Sequence, residues 1–146
     1  MLQRIDHVAF TVSDIQRAAD FFTRVLSFSE EGRWSSDREG SREVRFLTLG
    51  SSVVELILGE EHGAAAVTGA SMPGFRHLCL RSDDLDTDMI QLAGAGAKFI
   101  GTEMRIDDRL FNEMRPVAGY SLEKGLRRIM VEGPDNIVVE IMERGE

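Results

Sequence analysis

The chain repeats itself. HVAFTVSDIQRAADFF, beginning at His7, aligns with HLCLRSDDLDTDMIQL, beginning at His77, matching His7 with His77, Phe10 with Leu80, Asp14 with Asp84 and Ile15 with Leu85. Two later runs also match: VVELIL (Val53 to Leu58) and VVEIME (Val138 to Glu143) each hold one carboxylate at their third position, Glu55 or Glu140. Self-similarity on this scale restricts the fold to two copies of one supersecondary unit. The histidines are 70 positions apart (7 to 77) and the glutamates 85 (55 to 140). The second copy therefore carries about fifteen extra residues, most simply placed between Thr102 and Leu126.

Within the first copy, Arg4 to Val12 alternates, with Val8, Phe10 and Val12 on one face and Ile5, His7, Ala9 and Thr11 on the other, which predicts a strand. Asp14 suits an N-cap, and Ile15, Ala18, Ala19, Phe22 and Leu26 recur at helical spacing, which predicts an amphipathic helix from Ile15 to Leu26. Strands are expected near Phe28 to Trp34, Glu43 to Leu49 and Ser52 to Leu58, the last two joined by a tight turn at Gly50 and Ser51. The second copy repeats the order: a strand from Phe75 to Ser82, a helix from Leu85 to Ala95 and a short strand from Ala97 to Ile100. Strands from Arg127 to Glu132 and Ile137 to Glu143 complete it, joined through Gly133, Pro134, Asp135 and Asn136, where Asn suits a left-handed turn. Gly59 to Gly74, rich in Gly and Ala, reads as a linker. The expected class is α+β, with two tandem βαβββ modules (1–58 and 75–146) in one domain spanning 1–146.

A chain of 146 residues that is 42% hydrophobic can bury one sizeable core. Its formal charge of −8, from 17 basic and 25 acidic residues, is scattered along the chain and opposes binding to nucleic acid or an anionic membrane surface. No apolar run approaches the roughly 20 residues of a membrane helix. The start, MLQRIDHVAF, lacks the apolar core of a signal peptide, so a cytoplasmic protein is expected, with small-molecule or protein partners. Cys79, the only cysteine, excludes an internal disulfide. Flanked by leucines, it is expected to be a small buried hydrophobe without chemistry.

Alternation places Val53, Glu55 and Ile57 on one strand face, and Val138, Glu140 and Met142 on the matching one. A carboxylate on an apolar face is costly unless paired, protonated or bound to a cation. A lone His beside apolar residues is ordinarily a hydrogen-bonded core or edge residue, and a lone Glu in a strand ordinarily faces solvent. Duplication changes the balance, because packing seldom selects an ionisable group at four matching strand positions. His7, Glu55, His77 and Glu140 are therefore expected to share one divalent metal ion. Imidazole with carboxylate is a borderline donor set that suits Ni, Co, Zn, Mn or Fe rather than Ca or Mg.

These features resemble the vicinal oxygen chelate superfamily, which includes glyoxalase I, methylmalonyl-CoA epimerase, extradiol dioxygenases, fosfomycin-resistance enzymes and bleomycin-binding proteins. The motifs that carry the resemblance are DHVAFTVSDIQRAADFFTRVL, VVELIL, FRHLCLRSDDL and GPDNIVVEIME, and it covers nearly the whole chain. It implies that the modules form a cupped, partly open mixed β-barrel flanked by helices, with the metal in its hollow, and that the protein is a homodimer. A His, Glu, His, Glu quartet is similar to that of glyoxalase I, and the epimerase branch is close to it. The implied activity is that of a lyase, isomerase or epimerase that abstracts a proton next to a metal-chelated carbonyl through an enediolate. Glu140 is the expected mobile base, and Glu55 the candidate for a second proton transfer. The alternatives are a small-molecule binding or resistance protein of the bleomycin-resistance type, and an Fe(II) extradiol-type dioxygenase using His7, His77 and Glu140 with Glu55 off the metal.

Bacterial glyoxalase I carries an Arg four residues after its first His and an Asn four after its first Glu, both holding glutathione. Thr11 and Gly59 stand there in this chain. Thr11 is thus a candidate substrate-binding position, without glutathione being implied. Arg81 shares a strand face with His77, four residues on, where it would meet a substrate carboxylate. The extra segment from Asp107 to Arg128 gathers Arg109, Arg115, Lys124, Arg127 and Arg128 with Phe111 and the single tyrosine, Tyr120. Its plain reading is a solvated loop or dimer contact; its functional reading is a lid that clamps an anionic group, with Tyr120 against the substrate. His62 has no counterpart in the repeat and is expected to bind nothing.

Overall fold

A computed structural model describes residues 4–35, 43–59, 77–105 and 125–144. His62, most of the expected linker, and the part of the extra segment that holds Arg109, Phe111, Arg115, Tyr120 and Lys124 lie outside the described residues. The chain divides into two compact units, Met1–Met72 with Gly133–Asn136, and Pro73–Glu132 with Ile137–Glu146.

In the first unit, β1 (Val8–Val12), α1 (Ile15–Asp20), β2 (Ser29–Trp34), β3 (Val44–Leu49) and β4 (Ser52–Leu58) follow the expected βαβββ order. The sheet order is β1-β4-β3-β2, with β1 parallel to β4 and the other pairs antiparallel. This order makes the first and last strands neighbours, which is how an early His can meet a late Glu. The β3–β4 turn starts with Gly50 at φ 57, a left-handed position that Gly occupies without steric cost.

Asp14 caps α1, its Oδ1 accepting from the Arg17 amide at 2.9 Å. Ile15, Ala18, Ala19, Phe22 and Leu26 are all buried, as their spacing predicts. The α-helical part is shorter than expected. After Asp20 the chain continues as a π-helical turn over Phe21–Val25, closed by the Leu26 amide donating to the Phe21 carbonyl at 3.2 Å. A four-residue step from Phe22 to Leu26 fits either helix type, so the apolar pattern does not distinguish them.

Phe22 is fully buried, with ring centroids of Phe28 at 5.3 Å, Phe21 at 5.4 Å and Phe10 at 5.9 Å. Phe22→Ala is expected to lower the unfolding free energy by about 3–5 kcal/mol, from lost burial plus the cavity left behind. Urea denaturation measures it. A loss below ~1 kcal/mol would mean that this core repacks around the gap.

The second unit repeats the plan with β5 (Leu78–Ser82), α2 (Leu85–Gly94), β6 (Lys98–Arg105), β7 (Arg127–Glu132) and β8 (Val138–Glu143), in sheet order β5-β8-β7-β6. Asp84 caps α2 through the Thr87 amide at 3.0 Å. Gly96, at φ 82, ends it, with the Gly96 and Ala97 amides donating to the Ala93 and Leu92 carbonyls. Asp135 and Asn136 turn the chain into β8 at φ 52 and 60, as the Asn at this turn leads one to expect.

Two strands differ from expectation. β1 begins at Val8, so Arg4 to His7 precede it although they share its alternation. β6 runs to Arg105 rather than stopping at Ile100. The register steps from Ile100↔Met130 to Met104↔Arg128, so a bulge containing Gly101 at φ 73 interrupts the alternation that the sequence reading depends on. Thr102 to Arg105, the start of the extra segment, is therefore strand.

Each unit ties its helix to its sheet through a buried arginine. Arg45 on β3 donates to Glu43 at 2.8 Å and to Gln16 on α1 at 3.0 Å. Arg127 on β7 bonds Glu103 on β6 at 2.6 Å and Asp86 on α2 at 2.5 and 3.1 Å. The Arg127 guanidinium holds the Asp86 and Glu103 carboxyls below their ordinary range. A carboxylate whose folded-state pKa is lowered contributes stability that is present in full above its unfolded value and is lost as pH falls through the folded one. Arg127→Met is therefore expected to melt roughly 2–4 °C below the parent at neutral pH, with the gap narrowing below about pH 4. Thermal melts at pH 7 and pH 3 test this; a gap of constant width would assign Arg127 to packing alone. No helix among the described residues is long and apolar enough to cross a membrane.

Candidate metal centre

β1 and β4 lie in parallel register, with Phe10 opposite Leu56 and Ala9 opposite Glu55. Val12, Val54 and Leu56 point to the buried, helix-covered side. Glu55 points to the other face, where its Oε2 lies 3.2 Å from Nε2 of His7, the residue just before β1. The second unit repeats this contact: Cys79 is opposite Glu140, and His77 Nε2 lies 3.1 Å from Glu140 Oε2. Among the described residues no three His, Cys, Asp or Glu side chains gather as a cage, so the four expected ligands are brought together as two pairs, one in each unit.

The spacing within each pair fits a metal. Two donors bonded at ~2.0–2.1 Å are about 3 Å apart across an octahedral edge and about 3.4 Å across a tetrahedral one. The observed 3.1 and 3.2 Å fall between these values. The orientation of His7 fits as well. Its Nδ1 bonds Asp6 Oδ2 at 3.0 Å, and with the ring proton held there the Nε2 lone pair is left for a cation. The His7 pKa is raised, first by this bond to Asp6 and then by the Glu55 charge, against the opposing effect of desolvation, while the Asp6 carboxyl is lowered by His7.

The glutamates are not equivalent. Glu140 has a side chain 6% exposed and Glu55 one 18% exposed. Glu140 has an additional partner, Arg128 on β7, whose Nη1 donates to Oε1 at 2.9 Å while Nη2 lies 3.4 Å from Met104 Sδ. In the first unit the position matching Arg128 is Val44, two residues before the partner of the glutamate in each register. The sequence reading counts Arg127 and Arg128 both in the basic extra segment and in the strand from Arg127 to Glu132, and the strand is what forms. Both are on β7, with guanidiniums engaged on different acids, and alternation in Arg-Arg-Ile-Met-Val is the signal that separates their faces. Asp6 was also missed; its place directly before His7 was the available sign.

Cys79 departs from expectation. It is exposed rather than buried, because it occupies the helix-free face opposite Glu140. Partial desolvation, followed by hydrogen bonding and charge from Glu140, pushes its thiol up to about 12, which leaves it a poor nucleophile. Of the candidate substrate residues, Arg81 stands on β5 opposite Met142 and Thr11 on β1 opposite Ile57. Tyr120 lies outside the described residues.

The chain is similar to known proteins. The ethylmalonyl-CoA/methylmalonyl-CoA epimerase of Cereibacter sphaeroides is 30% identical over 105 residues, which cover 70% of this chain and 78% of the relative. The crystal structure of a glyoxalase family protein from Enterococcus faecalis matches with a TM-score of 0.73 at 21% identity, over 97% of this chain and 98% of that one. The fosfomycin resistance protein FosX from Listeria monocytogenes, solved with Mn(II) and sulfate, matches with a TM-score of 0.64 at 10% identity, over 99% and 95% of the two chains. The family's sequence profile matches residues 4–141, from before the first histidine to past the second glutamate, and the chain belongs to the Glyoxalase/Bleomycin resistance protein/Dioxygenase superfamily.

Proposed function

We propose that this protein is a divalent-metal-dependent enzyme of glyoxalase type, a lyase, isomerase or epimerase that removes and returns a proton next to a carbonyl, with epimerisation the favoured reaction. The observation that carries this reading is the duplicated His–Glu pair, with Nε2 and Oε2 at 3.1 and 3.2 Å, on the helix-free face of each sheet. The identity with the Cereibacter sphaeroides epimerase supports the choice of epimerisation.

In this reading His7, Glu55, His77 and Glu140 hold one Ni, Co, Zn, Mn or Fe ion. That ion supplies Lewis-acid polarisation of the substrate carbonyl, which acidifies the neighbouring C–H. Glu140 takes the proton; Arg128 holds Oε1, so the carboxylate is oriented before substrate arrives. Glu55, carrying a proton taken from solvent, returns it to the same carbon from the other side, and Glu140 releases its proton to solvent. Inversion needs two such groups, one to remove and one to deliver, and a duplicated module provides them. Asp6 keeps the His7 ring in position through Nδ1. Thr11, Arg81 and Tyr120 contact the substrate, and the working unit is a cytoplasmic homodimer in which 1–146 acts as one domain.

The test is elemental analysis of protein purified without chelators or an affinity tag, followed by deuterium exchange from solvent into 2-oxo acids, 2-hydroxy carbonyl compounds and acyl thioesters. About one transition metal per chain and metal-dependent label next to the carbonyl are expected. Failure to take up any of Ni, Co, Zn, Mn or Fe(II) would overturn the enzyme reading and leave a small-molecule binding protein. Oxygen consumption with Fe(II) in place of exchange would make it a dioxygenase.

A further inference from the structure

We infer that the second module carries an oxyanion-binding site beside its His–Glu pair, formed by Arg81 and Arg144, which holds a carboxylate or phosphoryl group of the small molecule the protein binds. Joined to the proposed function, on which this last step rests, it makes the substrate an anionic carbonyl compound.

Alternation puts His77, Cys79 and Arg81 on one face along β5, and Glu140, Met142 and Arg144 along β8 and just beyond it. The parallel register sets Cys79 against Glu140 and Arg81 against Met142, so both arginines follow the His–Glu pair in the same direction. A cavity of about 270 Å³ opens there, lined by Cys79, Arg81, Met142 and Arg144. Its walls combine a thiol and a thioether with two guanidiniums, polar and apolar surface in about equal measure. A guanidinium is a planar fork of N–H donors matched to carboxylate and phosphate oxygens, and a second one adds positive charge to the same cavity. The ion pair of Arg81 with Asp83 is long, at 4.0 Å, and solvent-exposed on both sides, so it competes weakly for that fork.

The first module provides an internal control. Thr11 and Gly59 occupy the positions of Arg81 and Arg144, four residues past the His and the Glu. There the two positions close on each other: a Cβ on Gly59 would sit 2.4 Å from Thr11 Cγ2. The same backbone plan thus carries a closed, neutral contact in one copy and a cationic cavity in the other. In a chain of net charge −8, two guanidiniums at one cavity favour an anionic ligand there. Four residues along a strand is about 13 Å, so the anionic group lies several bonds from the reacting carbon.

The full chain, first stripped of metal and then as purified, is titrated with inorganic phosphate and with malonate, read by calorimetry and thermal shift. Saturable binding of at least one anion is expected, weakening with added NaCl. Arg81→Gln and Arg144→Gln should each weaken it roughly 10- to 100-fold, and Arg81→Lys, which keeps the charge and loses the fork, by less. Arg24→Gln, at an exposed helix arginine paired with Asp20, should leave it unchanged. Tighter phosphate binding identifies a phosphoryl group as the ligand, and tighter malonate binding a carboxylate. No saturable binding of either anion, or parental affinity in Arg81→Gln, overturns the site. Arg81 is 70% exposed, so its variants are decisive even where Arg144→Gln fails to fold. Because the anion is measured without metal, failure here leaves the metal-dependent reading standing, and failure of metal uptake leaves the anion site standing.

Discussion

Glu140→Gln is expected to remain folded and to lose turnover by about 10²- to 10⁴-fold, the usual contribution of a positioned general base. Glutamine keeps the shape of the side chain, and its amide oxygen can still accept from Arg128 where Oε1 does now. What it cannot do is take a proton. Exchange rates are to be compared per metal-loaded chain, so that weaker metal retention is not counted as lost chemistry. Glu55→Gln provides the complementary result. If Glu55 delivers the second proton, this variant should still exchange label into one stereoisomer while losing inversion. Turnover kept by both variants would place proton transfer on other residues and sink the two-base assignment.

His77→Ala is expected to reduce metal affinity by more than about 100-fold, since even residues that only orient a ligand are typically worth 10–100-fold. Loss of the imidazole leaves Glu140 with Arg128 as its ion-pair partner among the described residues. Binding also stabilises the fold: metal at 100 times its Kd adds about 2.7 kcal/mol, roughly 5–10 °C of melting temperature for a chain of this size. The parent should therefore melt higher with Ni or Zn than without, and His77→Ala should melt alike in both. Asp6→Ala tests the supporting contact to His7, with an expected loss of about 10- to 100-fold in affinity. A full metal-dependent melting shift in His77→Ala would remove His77 from the ligand set.

Helix and strand positions were legible because they are written locally. The Ile15, Ala18, Ala19, Phe22, Leu26 stripe and the alternation of Val8 to Val12 require only neighbours along the chain, and the repeat then doubles every reading. The misses have separate causes. Gly101 and its bulge break the period of two, so β6 seemed to end at Ile100. The π-helical turn keeps the apolar spacing and so leaves no trace in it. Cys79 has leucine neighbours, but they point to the opposite face, which is why flanking residues misjudged its burial. Arg127 and Arg128 lie in a charged stretch, and charge alone does not say which acid a guanidinium will reach.

The sequence by itself determined two βαβββ modules and the placement of one His early and one Glu late in each, because duplication and hydrophobic period are one-dimensional properties. Only the tertiary structure decided which charges meet. The β1-β4 and β5-β8 neighbourhoods bring each His to its Glu, and the register of β7 on β8 gives Arg128 to Glu140, where Val44 stands in the first copy. Register between strands distant in the chain is a collective outcome of packing a whole sheet on its helix, and a shift of one residue would turn every one of these side chains to the other face.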